Sequence, residues 1–262
     1  MGVDLTVTAP AVSAALALMI FAWLISLTRR DAGVADIAWG LVFATIAWAS
    51  YLAGDGSSSM LLAACLTTLW GVRLAVHVGR RNLGHDEDRR YAKMRKKRPG
   101  TFWIWSLFGV FLLQGAIALV VSMPLQSLGA QDPDSIGLIA WIGVAVFAVG
   151  FFFEAVGDAQ LNAFIRDPDS GDQVMDRGLW KYSRHPNYFG DTTQWWGIWL
   201  LAVGSGAAWW TVIGPIVMTI FILRVSGVTL LEKDMSSRRP GYEEYVERTS
   251  AFIPWPPKRA AS

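Results

Sequence analysis

Seven apolar runs, each close to the ~20 residues a helix needs to cross a bilayer, divide this sequence: roughly 8–28, 33–53, 58–79, 102–126, 136–157, 187–204 and 207–231. Charge is confined to blocks between them. Charged residues are 17% of the chain, against about a quarter in a soluble domain. The runs are too long for spanning strands and lack two-residue alternation. The expected fold is therefore all-α: one polytopic membrane domain over 1–262, with about seven transmembrane helices. Gly204-Ser205-Gly206 alone separates the last two runs, so these should form a tight hairpin. The N-terminus, MGVDLTVTAP, lacks the basic segment of a cleaved signal peptide, so the first run is expected to remain as a membrane helix.

Loop charge sets an expected orientation. Arg29 and Arg30 lie in the first loop. Arg80, Arg81, Arg89, Arg90, Lys93, Arg95, Lys96, Lys97 and Arg98 crowd the third, and Arg166, Arg177, Lys181 and Arg184 lie in the fifth. The second loop, the fourth (SLGAQDPDS) and the sixth carry no Lys or Arg. This alternation puts the N-terminus outside and the C-terminus in the cytoplasm. The net charge is only +2 and the basic residues adjoin apolar runs, which implies a bilayer surface and not nucleic acid. The one cysteine, Cys65, lies in an apolar run, so no disulfide framework is available.

Ionisable groups within spanning helices are costly and mark polar cavities or partners. Asp36 stands three residues before Trp39 in the second run, within reach of Arg29 or Arg30. Arg73, His77 and Arg80/Arg81 share a face of the third. Glu154, Asp158 and Asn162 recur every fourth residue. Asn187, Asp191 and Gln194 or Trp195 form another stripe, and Arg224 stands in the last run. All lie toward one end of the spans, which implies a single polar cavity opening to the cytoplasm. Arg73, Arg166, Arg184 and Arg224 suit bidentate contact with phosphate or carboxylate; Asp and Asn suit ribose hydroxyls or an amide. His77, His85 and His185 are not spaced as a metal set, so no metal site is expected. No Gly-x-Gly-x-x-Gly, P-loop, or Gly-x-Ser-x-Gly elbow is present. The segment RDPDSGDQVMDRGLWKYSRHPNY reads as a turn-rich loop able to close over a ligand. The tail EKDMSSRRPGYEEYVERTSAFIPW alternates charge and aromatics.

The stretch DRGLWKYSRHPNYFGD, Asp176 to Asp191, strongly resembles the C-terminal signature of the steroid 5-alpha-reductase-like superfamily, in a bacterial membrane branch. Leu231-Glu232, Pro240-Gly241-Tyr242, the ending Tyr245 to Phe252-Ile253-Pro254, and Asp36-Ile37-Ala38-Trp39-Gly40 resemble it too. The superfamily holds NADPH-dependent reductases of lipid carbon–carbon double bonds and S-adenosylmethionine-dependent isoprenylcysteine carboxyl methyltransferases. Asn187 after the proline and Asp191 after the glycine resemble the reductases.

That resemblance implies a cofactor-binding half over 136–262 and a substrate-side half over 8–126. Asn187 and Asp191 would hold a nicotinamide carboxamide, with Glu154 and Asp158 lining the cofactor. Arg166, Tyr182, Arg184 and His185 would lie near ribose and phosphates, Arg224 would join the cofactor set, and Glu232 would orient basic groups from the tail. Trp39, Trp70 and Arg73 would lie on the substrate side. Trp70 takes the place of a Tyr that steroid reductases use to polarise the substrate, leaving Asp36 as the expected acid. The implied activity is a membrane-embedded NADPH-dependent reductase of a hydrophobic, lipid-like substrate. The alternatives are an S-adenosylmethionine-dependent methyltransferase and a non-catalytic lipid-binding membrane protein. The residues specify neither the lipid nor the oligomeric state.

Overall fold

The computed structural model describes residues 4–131, 136–226, 228, 232 and 239–258. Residues 132–135 of the fourth loop, Leu231, and positions 233–238 of the tail lie outside the described residues. Among the described residues every regular element is helical. The chain forms two compact units, residues 1–140 with 201–214 and residues 141–200 with 215–262.

The first unit opens with α1, Leu5–Arg29, which Asp4 caps by accepting the Thr6 N–H at 2.8 Å. Arg30 ends it in the left-handed region at φ 53°. α2, Val34–Ala53, packs on α1, and α3, Ser58–Asn82, packs on α2. α2 and α3 cross backbone to backbone: a Cβ on Gly40 would lie 2.5 Å from the Gly71 carbonyl oxygen. α3 runs three residues beyond the expected end at 79, and the cations Arg80 and Arg81 in its last turn suit the negative pole of the helix.

A short helix, α4, Arg89–Lys96, follows, capped by Asp88. α5, Phe102–Val121, contains a π-helical stretch at Leu107–Leu112. The expected span reached 126, but the helix stops at 121. Pro124 lacks the N–H that would continue the ladder to Val120 and its ring crowds that carbonyl, so the helix cannot run through it, whereas the first turn of a new helix tolerates it. The chain breaks at Ser122 and restarts as α6, Met123–Gly129.

The second unit draws on α7, Leu138–Arg166, α8, Pro186–Gly204, and α9, Trp209–Val225. α7 extends nine residues past the expected end at 157, carrying Asp158 and Asn162 on continuous helix. Gly206, at φ 95°, turns the α8–α9 hairpin. Gly143, Gly150 and Gly157 on α7 and Gly190, Gly197 and Gly204 on α8 each recur every seventh residue. Within the second unit Gly150, Gly157, Gly190 and Gly197 let α7 and α8 touch. A Cβ on Gly150 would lie 2.6 Å from the Gly190 oxygen, and one on Gly197 would lie 2.5 Å from the Phe147 nitrogen.

α1, α2, α3, α5 and α7 are long and apolar enough to cross a membrane, as fits a membrane protein. α8, 19 residues long, carries the Asn187–Asp191–Gln194 stripe, and α9 is shorter still.

Candidate functional site

The glycine contacts decide where the polar residues of α7 and α8 meet. A side chain one turn from a helix–helix backbone contact has nowhere to go but the seam. Glu154 sits against Gly190, Asn187 against Gly157, and Gln194 against Gly150. Glu154 is 3% exposed and Asp158 7%. A buried carboxylate is tolerable only with donors close by. Gln194 Nε2 donates to Glu154 Oε2 at 2.5 Å, and Asn187 Nδ2 donates to Asp158 Oδ1 at 3.0 Å. Each amide thereby aims its N–H₂ at a carboxylate. Its own carbonyl oxygen is left over: Asn187 Oδ1 and Gln194 Oε1 are buried and accept no hydrogen bond from the described residues. Buried polar atoms nearly always find a partner, and among the described residues these two oxygens have none. Asp191 lies one turn beyond Asn187 and is half-buried.

The loop between α7 and α8 folds onto the same end of this unit. Trp180 Nε1 donates to the Gly157 carbonyl at 3.0 Å, and the Leu179 N–H donates to Gln160 Oε1 at 2.9 Å. Gly178, at φ 58°, lies under Gln160 with no room for a Cβ.

Arg184 and His185 do something else. The Arg184 fork donates to both oxygens of Glu232, Nε to Oε1 at 2.8 Å and Nη2 to Oε2 at 3.1 Å. Its Nη1 donates to the carbonyls of Val246 and Thr249 at 3.1 and 2.7 Å. His185 Nε2 lies 3.0 Å from Glu232 Oε1. Burial pushes the Glu232 carboxyl up, but hydrogen bonds from His185 and Arg184 and the Arg184 charge outweigh it and hold the group at about 2. Tyr245 donates its hydroxyl to the Trp180 carbonyl at 2.6 Å, and Ser183 Oγ donates to the Phe252 carbonyl at 2.8 Å. Burial raises the Tyr245 hydroxyl, which keeps that proton in place. This cluster fastens the tail, including α10, Tyr242–Arg248, to the loop. Arg166 and Arg224 are exposed, and Tyr182 is 41% exposed.

In the first unit Asp36 is held by residues other than the expected Arg29 or Arg30. Tyr91 donates its hydroxyl to Asp36 Oδ1 at 2.7 Å, and Arg90 Nη2 donates to Oδ2 at 2.8 Å. The Arg30 carbonyl instead accepts from Arg95, whose guanidinium grips Glu87 through Nε at 2.8 Å and Nη2 at 2.7 Å. Glu87 also accepts the Ala32 N–H at 2.9 Å, so α4 is pinned beneath the α1–α2 turn. Gln114 Nε2 reaches the Tyr91 oxygen at 3.4 Å. Burial and the Asp36 charge raise the Tyr91 hydroxyl well above the usual phenol range, so Tyr91 keeps its proton at neutral pH. Trp39, Phe43 and Trp70 form an edge-on aromatic stack, with centroids 5.0 and 5.4 Å apart. Trp70 is 1% exposed, and Arg73, three residues on, is half-buried.

Sequence reasoning missed Glu87, Arg90, Tyr91 and Gln114. The third loop read as a basic block, yet HDEDRRY puts three acids and one tyrosine in it. A tyrosine that is 5% exposed within such a run marks a docked segment.

A family model described as "Protein of unknown function (DUF1295)" matches residues 22–249. "Uncharacterized protein C594.04c" of Schizosaccharomyces pombe (strain 972 / ATCC 24843) is 24% identical over 265 residues, covering 88% of this chain and 75% of its own length. No solved structure matches. With its all-helical fold and buried α7–α8 seam, the chain belongs to the DUF1295 family, within the steroid 5-alpha-reductase-like membrane superfamily.

Proposed function

We propose that this protein is a membrane-embedded reductase that takes a nicotinamide cofactor at the α7–α8 seam and saturates an activated carbon–carbon double bond in a lipid-like substrate. The observation that supports it is the pair of spare acceptors, Asn187 Oδ1 and Gln194 Oε1, beside two buried carboxylates. A nicotinamide carboxamide presents an N–H₂, the donor such acceptors lack. In this reading the polar end of the seam opens to the cytoplasm, the chain spans the membrane seven times, and the N-terminus lies outside. Arg166, Arg177 and Lys181, on the 166–181 stretch, are the cations available for phosphates. Arg184 is not among them, because its donors are committed to Glu232 and two carbonyls.

A bound NADPH would supply the hydride. Asn187 would fix its ring by accepting a carboxamide proton, and Asp158 would hold the Asn187 side chain in place as Glu154 holds Gln194. In the first unit Asp36 is the acid we propose for the proton; the Tyr91 hydroxyl and Arg90 hold its carboxyl in place, and the Asp36 charge makes the Tyr91 phenol harder to ionise and so a weaker acid. Trp70 has no part in proton transfer.

A second reading rests on one feature. Glu154, Asp158 and Asp191 are three acids in or beside the seam, and carboxylates suit the sulfonium and ammonium of S-adenosylmethionine. Thermal unfolding with NADPH, NADH or S-adenosylmethionine separates the two. A ligand at 100 times its dissociation constant stabilises by about 2.7 kcal/mol. A response to NADPH that Asn187→Ala removes supports the reductase; a response to S-adenosylmethionine alone overturns it.

A further inference from the structure

The junction of α4 and α5 holds a groove of about 540 Å³, lined by Arg98, Thr101, Ile104, Trp105, Phe108 and Gly109. Three observations give it a ligand. First, its floor is built. A Cβ on Gly109 would lie 2.7 Å from the Trp105 ring, so the indole lies directly over that glycine. The π-helical stretch begins two residues earlier, at Leu107. Second, its mouth carries an oriented cation. The Arg98 guanidinium lies 3.9 Å from the centre of the Trp105 ring. A guanidinium stacked on an aromatic spends its flat face there and keeps its N–H edge for another partner.

Third, the charge around it is uncompensated. The neighbouring arginines are already used: Arg90 by Asp36 and Asp88, and Arg95 by Glu87. Lys96 and Lys97 are exposed, and no ion pair holds Lys96, Lys97 or Arg98 among the described residues. No Asp or Glu occurs from Arg89 to Gln131. Arg98 stands four residues before Phe102, where an apolar span begins. That is the depth at which a phospholipid places its phosphate. Below it, Ile104 is 43% exposed and Phe108 62%, both apolar.

We propose that this groove binds an anionic phospholipid of the surrounding leaflet. The phosphate sits on the Arg98 fork with Lys96 and Lys97 around it, and an acyl chain lies along Trp105, Ile104 and Phe108. Arg98 with Trp105 sets the preference, because a point charge without stacking support would not hold the fork. The inference rests on the first unit alone and is independent of the nucleotide reading.

The test is native mass spectrometry of the full-length protein in detergent doped with phosphatidylglycerol or phosphatidylcholine. Phosphatidylglycerol should be retained about tenfold more tightly, the equivalent of about 1.4 kcal/mol. Arg98→Gln should erase the preference. Arg29→Gln, which removes an exposed arginine at the end of α1, should keep it. Arg98→Lys retains the charge without the planar fork and should fall between, so the proposal stays testable if the glutamine variant folds poorly. Equal retention of the two lipids by wild type, or the same preference in Arg98→Gln, overturns it. So does displacement of phosphatidylglycerol by glycerophosphate at equal concentration, since the site would then be one for a free anion.

Discussion

The Arg184 clamp and the α7–α8 seam begin three residues apart, at Arg184 and Asn187, and they treat polar groups in opposite ways. Arg184 donates through Nε, Nη1 and Nη2, and Glu232 accepts from two side chains. In the seam, Asn187 and Gln194 each keep a buried oxygen that accepts nothing from the described residues. A saturated ion pair holds structure. Leaving a buried acceptor unmet costs about 1–3 kcal/mol, so a donor that reached either oxygen would stabilise the seam. The comparison also separates two kinds of arginine. Arg184 looks like a phosphate binder in the sequence and serves as a fastener, whereas Arg98 has its stacked face used and its edge free.

The largest expected effect comes from closing the distance on which the seam depends. Gly190→Ala puts a Cβ 2.5 Å from the Gly150 oxygen. With backbone on both sides, the helices must part, and stability should fall by about 3 kcal/mol, read as a lower melting temperature together with loss of any nucleotide response. An unchanged melting temperature would mean that the helices do not touch there. Next, Arg184→Met should cost about 2 kcal/mol by leaving Glu232 without its main partner. Limited proteolysis should then cut within 239–258 while cofactor response persists at saturation.

The pH dependence is smaller and has a definite sign. The Glu232 carboxyl is depressed from 4.5 to about 2, so its stabilisation is complete above about pH 4.5 and is lost as pH falls toward 2. The stability gap between wild type and Glu232→Gln should therefore be constant from pH 5 to 7 and narrow below about 4.5. A gap that widens in acid would contradict the clamp. At the smallest end, Tyr91→Phe removes the hydroxyl that donates to Asp36, a bond worth about 1 kcal/mol, and should lower turnover less than Asp36→Asn if Asp36 supplies the proton.

Local rules made much of this legible. Fourfold spacing places Glu154 and Asp158 on one face of α7, and Asn187, Asp191 and Gln194 on one face of α8. The sequence alone does not say that those faces meet. The sevenfold glycines were the available signal, since only small residues permit such contact. The Asp36–Tyr91 bond spans 55 residues and joins a charged loop to an apolar helix. Neither periodicity nor loop charge reports such a contact. Helix ends shifted where single residues outweighed hydropathy: Pro124 cut one span short, and continued helical geometry carried α7 on to Arg166.

The most direct measurement is the melting temperature of the purified protein with and without saturating NADPH, for wild type and Asn187→Ala side by side. The account predicts that NADPH stabilises the wild type and leaves Asn187→Ala unmoved, while the two proteins melt within about 1 kcal/mol of each other without ligand. Equal stabilisation of both by NADPH would show that the seam is packing and that the cofactor site lies elsewhere.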